Sequence, residues 1–303
     1  MNPAPRWTFR LPDERRVGAR RPAVADGVAY VAFMYEKRGF WSSTLFALDL
    51  DTGSKRWSRT IEHVGSEAIA ADGVVYWSGS DGSVRALDLH GRTLWESPHA
   101  DASLGVPISG ESDRLFVAEI SGGAAHTWCL DRVTGRTLWR FANGGHTYRL
   151  DHADGRIFHC AVSGGEPGVP TRGTLYSLRA TDGHVEWSVR SRDYLFNPIV
   201  HDGRLSVCSS RSLLLFDAAR GRPLGEIELG KENTTYLLAP SSISRQPVVW
   251  QDSAGRGTDS IEVFSATPVK RLFSGERWHC VESGKSRSPA ACANRQSRCP
   301  MIG

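Results

Sequence analysis

The stretch ALDLDTGSKRW, residues 47–57, decides how the rest of the chain reads, because it recurs. Aligned on the turn glycine, the copies are ALDLHGRTLW at 86–95, CLDRVTGRTLW at 129–139, SLRATDGHVEW at 177–187 and LFDAARGRPLG at 215–225. Gly53, Gly91, Gly135, Gly183 and Gly221 hold the same place in each copy. The last positions, Trp57, Trp95, Trp139, Trp187 and Gly225, are spaced by roughly 38 to 48 residues, the period of one four-stranded propeller blade.

A second element recurs between the copies: VADGVAYVAF at 24–33, AADGVVYWSG at 71–80, HADGRIFHCA at 152–161 and VHDGRLSVCS at 200–209. Each places Asp-Gly in a tight turn ahead of a half-alternating run, a hairpin signal. Each unit then reads as strand A, the Asp-Gly turn, strand B, a variable loop, strand C ending near Leu-Asp, a glycine turn, and strand D with the tryptophan. One such meander cannot bury both faces alone, whereas radially packed sheets can. The expectation is an all-β protein, a β-propeller of four-stranded antiparallel blades. Six are recognisable, at about 18–62, 63–99, 100–143, 144–191, 192–230 and 231–274, and a partial seventh is left open.

Residues 1–17 form an arm in which RWTFRL, 6–11, reads as a further strand D with Trp7 in the docking place, assigned to the last blade. The propeller spans 18–274. Residues 275–303 lack β periodicity apart from WHCVE and are expected to be irregular.

Composition agrees. With 303 residues there is ample chain for a core, and 31 glycines and 10 tryptophans suit many short strands joined by turns. The opening residues lack an apolar signal core, a cleavage site and a lipid-attachment cysteine, and no run is long enough to span a bilayer, so a cytoplasmic protein with no membrane partner is expected. The net charge of +4 comes from scattered arginines and is read as a solvated surface, with no nucleic-acid partner. Cys129, Cys160, Cys208, Cys280, Cys292 and Cys299 form no C-x-x-C pair and read as reduced thiols.

The pattern A-x-D-x-x-x-G-x-x-x-W, complete at Ala47, Asp49, Gly53 and Trp57, resembles the tryptophan-docking motif of the pyrroloquinoline-quinone-like (PQQ-like) β-propeller repeat family, within the quinoprotein alcohol dehydrogenase-like superfamily. The resemblance is strong over about 18–230 and fainter over 231–274. The copies depart from it where the second is one residue short, the fourth has Arg179 in the aspartate place, and the fifth lacks the tryptophan. Family members commonly carry about seven or eight blades. The resemblance implies three roles: a quinone- and calcium-dependent dehydrogenase, an outer-membrane-assembly scaffold, or a ligand-sensing module. The family's enzymes are exported, much longer, and carry a vicinal cysteine pair that this sequence lacks.

Several chemistries are weighed against plainer roles. Asp49, Asp88, Asp131 and Asp217 sit where a carboxylate accepts turn N–H groups while the glycine of each turn supplies positive φ, so they read as turn clasps, with Gly53, Gly91 and Gly135 beside the first three and Gly183 in the copy that has no aspartate. Trp57, Trp95, Trp139 and Trp187 read as wedges between sheets. His146, His152 and His159 are the densest histidine group, but nothing arranges them, or His279 with Cys280, Cys292 and Cys299, for zinc. There is no nucleophile elbow, and SGGEPG at 163–168 reads as a B–C loop. No catalytic residue, metal or cofactor is expected.

Counting back from the A–B turn glycines places Arg20, Arg21, Ser66, Glu67, Tyr148, Arg149, Phe196 and Asn197 at the starts of the innermost strands. This rim suits a small anionic or planar ligand. The functional expectation is a non-enzymatic repeat protein acting as a protein-interaction scaffold or ligand-binding module, its partner most readily another protein.

Overall fold

The computed structural model of the chain describes residues 6–11, 17–37, 39–99, 108–109, 113–119, 125–147, 149–164, 172–209, 212–228, 235–240, 247–252, 260–263, 279–282 and 285–286. The first sheet holds β1 (Val17–Ala19), β2 (Ala23–Ala25), β3 (Val28–Lys37), β4 (Phe40–Asp49) and β5 (Lys55–Ile61), with β1 and β2 end to end along one side of β3. The second is β6 (Ile69–Ala71), β7 (Val74–Ser78), β8 (Ser83–Asp88) and β9 (Thr93–Pro98). The third is β10 (Ile108–Ser109), β11 (Arg114–Ala118), β12 (His126–Asp131) and β13 (Thr137–Ala142).

The fourth sheet runs β14 (Leu150–Ala153), β15 (Arg156–Ser163), β16 (Arg172–Arg179), β17 (Val185–Ser191), and the fifth β18 (Leu195–His201), β19 (Arg204–Ser209), β20 (Ser212–Asp217), β21 (Pro223–Glu228). A sixth carries β22 (Thr235–Pro240), β23 (Pro247–Asp252) and β24 (Ser260–Val263). Finally β25 (His279–Glu282) and β26 (Lys285–Ser286) extend the fourth sheet beyond β17. Among the described residues every strand pairing is antiparallel and there is no helix.

The chain divides into two compact units, Met1–Ala142 with the first three sheets and Asn143–Gly303 with the rest. Within each unit, cores form between consecutive sheets. Tyr30, Leu45 and Ala47 pack with Val75, Trp77 and Leu87, and Tyr76 and Val84 pack with Leu115, Val117 and Leu130. In the second unit Phe158, Cys160 and Leu175 meet Leu205, Leu214 and Phe216. The alternating faces of neighbouring meanders thus close on each other, as expected for sheets that cannot bury both faces alone.

The repeated turn works the same way each time. Asp49 Oδ1 accepts the N–H groups of Asp51 and Thr52 at 3.1 and 2.9 Å, and Asp131 Oδ1 accepts those of Val133 and Thr134. The shorter second copy closes through Asp88, which accepts the N–H groups of His90 and Arg92. In the fourth copy, with Arg179 in the aspartate place, Asp182 accepts the N–H of His184, while the Gly183 N–H still donates to the Arg179 carbonyl at 2.8 Å. Strand C meets strand D through a bulge at the same step in five sheets, at Ala47/Leu48, Ala86/Leu87, Cys129/Leu130, Ser177/Leu178 and Leu215/Phe216. The bulge turns the strand into the glycine turn.

Trp57, Trp95 and Trp187 each bridge two sheets. Trp57 Nε1 donates to the Leu89 carbonyl at 2.8 Å, and its ring lies so close over Gly91 that a Cβ there would sit 2.7 Å away. Trp95 does the same with the Arg132 carbonyl and Gly135, and Trp187 with the Ala218 carbonyl and Gly221. Gly91, at φ +77°, is therefore required twice, by conformation and by the ring above it.

One expectation differs at the arm. Residues 6–11 form no strand, yet Trp7 occupies a docking place, donating Nε1 to the Leu50 carbonyl at 2.9 Å with its ring over Gly53. This is the place on the first sheet that a tryptophan preceding that sheet takes, as Trp57 does on the second. In the stretch from 275, β25 falls on the WHCVE segment excepted above, and the two-residue β26 pairs with it, both added to the outer edge of β17. The other residues of that stretch, including Cys292 and Cys299, lie outside the described set.

Candidate functional site

In every complete meander the entry into strand A and the B–C hairpin share one edge of the sheet. The inner strands lie side by side within each unit: β2 beside β6 and β6 beside β10 in the first, β14 beside β18 and β18 beside β22 in the second. Arg20, Arg21 and Glu67 enter the inner strands of the first unit, and Arg149, Phe196 and Asn197 those of the second; Tyr148 lies outside the described residues.

Ser66 is committed to structure. Its carbonyl accepts Trp77 Nε1 at 3.1 Å, and its hydroxyl lies 2.9 Å from that of Ser78. Arg20 is half-buried and Arg21 exposed. Phe196 packs on Cys208, Leu213 and Leu215, and stacks with Tyr194, ring centres 5.8 Å apart and planes at 14°. Asn197 stands in a bulge, since Phe196 pairs with Cys208 but Ile199 with Ser206. It is 9% exposed, has φ +30°, and its Oδ1 has no partner among the described residues. A left-handed asparagine with an unmatched acceptor marks a strained point on the inner strand.

One residue of this wall escaped the reading of the sequence. Asp151, half-buried on β14, accepts the N–H of Val200 on β18 at 2.7 Å and that of His152 at 2.9 Å, pinning two inner strands together. Burial holds its carboxyl above the usual carboxylate range, against those hydrogen bonds. The signal was an acidic residue in a strand whose counterparts, Ala23–Ala25 and Ile69–Ala71, are apolar.

The histidines do not converge. His159 is fully buried beside Tyr176, its pKa lowered to about 3 by desolvation, while His146 is exposed and His152 half-buried. Cys129, Cys160 and Cys208 are free and buried, and burial pushes the Cys129 and Cys208 thiols up to about 12. Such thiols are poor nucleophiles. Glu119 is buried and engaged, accepting from the backbone of His126 at 2.9 Å and from Trp128 Nε1 at 3.0 Å.

On the same edge of the first sheet stands the longest described hairpin. Strands β3 and β4 run 10 residues each, against 5 and 6 for β7 and β8. Its outer half is braced by β1 and by a cluster of Phe9, Phe33 and Phe46, with ring centres 5.1 to 6.1 Å apart. At its end Phe40 is 79% exposed and Trp41 41% exposed.

Comparison with known proteins gives these features a setting. A family model described as outer membrane protein assembly factor BamB matches residues 4–101 and 80–265. Quinoprotein ethanol dehydrogenase of Pseudomonas aeruginosa is 28% identical over 181 residues, 50% of this chain and 28% of that protein, so the chain spans well under a third of that relative. Among solved structures, a europium-containing methanol dehydrogenase aligns with a TM-score of 0.56 at 16% identity, over 80% of this chain and 55% of that one. The WD40 propeller domain of Doa1 aligns at 0.55 and 11% identity, over 82% and 93%. At these identities the structural likeness establishes the β-propeller fold alone.

Among the described residues no group of three or more His, Cys, Asp or Glu is gathered, and the described cysteine side chains stand on three separate sheets.

Proposed function

Starting from a chain that belongs to the PQQ-like β-propeller repeat family, whose matching model is described as an outer membrane protein assembly factor, we propose that it is a non-enzymatic interaction propeller whose contact element is the β3–β4 hairpin and whose partner is another protein. The observation that carries this reading is the exposure of Phe40 and Trp41 at the end of a hairpin that β1 braces at Phe33, Met34 and Tyr35. Phe40 and Trp41, consecutive on β4 and so facing opposite sides of the hairpin, are aromatic side chains of the kind enriched in binding hot spots, and leaving them in water costs free energy that a partner recovers. The acidic turns and wedge tryptophans, by contrast, are engaged within and between sheets. A cytoplasmic setting is part of the same proposal.

A photoreactive amino acid at position 40, introduced into the full chain in its source cell, is expected to give one dominant adduct that Trp41→Ser abolishes. Adducts spread over many proteins and indifferent to Trp41→Ser would sink the proposal. The dehydrogenase reading is tested on the same preparation by adding PQQ, calcium and ethanol with an electron-accepting dye. No dye reduction is expected, and sustained reduction would replace the scaffold reading with the enzymatic one.

A further inference from the structure

The outer strands of the first five sheets differ in what lies beyond them. β5 and β17 run 7 residues each, against 6 for β9, β13 and β21. β17 is covered, because β25 adds to its outer edge in antiparallel register opposite Trp187, Ser188, Val189 and Arg190. β5 ends the first sheet with β4 as its single partner among the described residues. Aligned on the docking tryptophan, the part of β5 that corresponds to the covered part of β17 is Trp57, Ser58, Arg59 and Thr60, and the last three of these are exposed.

An open strand edge is a row of backbone donors and acceptors, since successive residues turn their N–H and C=O groups to opposite sides and β4 answers one side alone. This edge is also held in place from behind. Trp57 Nε1 and Arg59 Nε donate to the Leu89 and Gly91 carbonyls of the second sheet at 2.8 and 2.7 Å, and the Thr60 hydroxyl lies 2.8 Å from that of Thr44. Little order has to be imposed on such a strand when another arrives. Its charge is selective. β17 carries one acid and one base, Glu186 and Arg190, whereas β5 carries Lys55, Arg56 and Arg59 and no acid. Asp49 answers Arg56 at 2.7 Å, while Lys55 and Arg59 face no carboxylate among the described residues. Like charges opposite one another weaken a strand pair, so these cations disfavour a second copy of β5 and favour an acidic segment.

We propose that the outer edge of β5 is a docking edge for an extended acidic segment of a partner protein, which adds as a further antiparallel strand along Trp57, Ser58, Arg59 and Thr60 as β25 does along β17. Main-chain hydrogen bonds hold the segment, and Lys55 and Arg59 select its charge. The edge lies apart from Phe40 and Trp41, because the pairing of β4 with β5 stops at Ser43 and Ile61. Either assignment therefore stands if the other fails.

The test follows a short fluorescent peptide that alternates glutamate with threonine, by anisotropy against the full chain. Beside it stand a lysine-for-glutamate peptide, two copies N-methylated on one or the other set of alternate residues, and a single-stranded oligonucleotide of comparable charge. Wild type is expected to bind the acidic peptide saturably, to ignore the lysine peptide, and to lose one of the two methylated copies, the one whose N–H groups toward β5 are blocked. Hydrogen exchange is expected to slow at β5 amides when the peptide binds and to stay unchanged in β9 and β13. Lys55→Glu is expected to weaken binding severalfold at an unchanged melting temperature, Lys55 being exposed. Arg136→Glu, which reverses an exposed charge ahead of β13, and Trp41→Ser at the hairpin end are expected to keep wild-type affinity. The assignment is overturned by a wild type that shows no saturable binding, by methylated copies that both bind as tightly as the parent, or by an oligonucleotide that binds equally well. Peptide protection that bypasses β5, or self-association of the full chain that protects β5, would overturn it as well.

Discussion

Trp57 shows how one side chain serves two sheets. Its ring faces Tyr30 of its own sheet at 5.9 Å and lies over Gly91 of the next, while its N–H caps the Leu89 carbonyl. Truncation to alanine removes the packing and strands a carbonyl, so Trp57→Ala is expected to lower stability by about 3 kcal/mol. Gly91→Ala should cost a similar amount, since its Cβ enters the ring and its φ is left-handed. In the double variant the steric part of the glycine substitution disappears, and the two losses should fall short of additive in denaturant titration. Full additivity would show that ring and glycine do not share the contact. The aromatic partner was also visible in the sequence once aligned: Tyr30, Tyr76 and Phe158 each stand three residues after the Asp-Gly glycine and meet Trp57, Trp95 and Trp187.

Strands β14 and β18 carry the next level, because Asp151 joins them through the Val200 N–H. Pro198 and the bulge at Asn197 interrupt regular pairing on β18 just ahead of Val200. Burial raises the Asp151 pKa in the folded state above its unfolded value. The stabilisation linked to this group is therefore fully present below the unfolded-state pKa and declines as pH rises through the folded-state pKa. Melting wild type beside Asp151→Asn across acid to neutral pH should show the wild-type advantage shrinking as pH rises. An advantage that grows with pH would mean that hydrogen bonding to the charged form outweighs desolvation. Asp151→Ala should be destabilising by about 1–3 kcal/mol, since it leaves the Val200 N–H without its acceptor.

For the molecule as a whole, stability in a repeat array is a sum of sheet terms and nearest-neighbour contacts. The cores obey this arrangement, each joining consecutive sheets within a unit. Trp187→Ala, between the fourth and fifth sheets, should accordingly raise amide exchange in β15–β21 and leave β3–β8 protected. Uniform loss of protection across both sets would point to global rather than local cooperativity.

The period, the glycine turns and the wedge tryptophans were all legible in the sequence, because a turn needing positive φ and a large ring needing a backbone gap each leave a residue type at a constant spacing. Asp49, Gly53 and Trp57 announce their roles by recurring. What recurs only once leaves no such mark. That Asp151 pins β14 to β18, and that Arg20 Nε is buried without an acceptor, both depend on which atoms tertiary packing brings within hydrogen-bond reach. Local chemistry therefore determined the sheets and their turns, while only packing between and around those sheets decided which buried polar groups find partners and which do not.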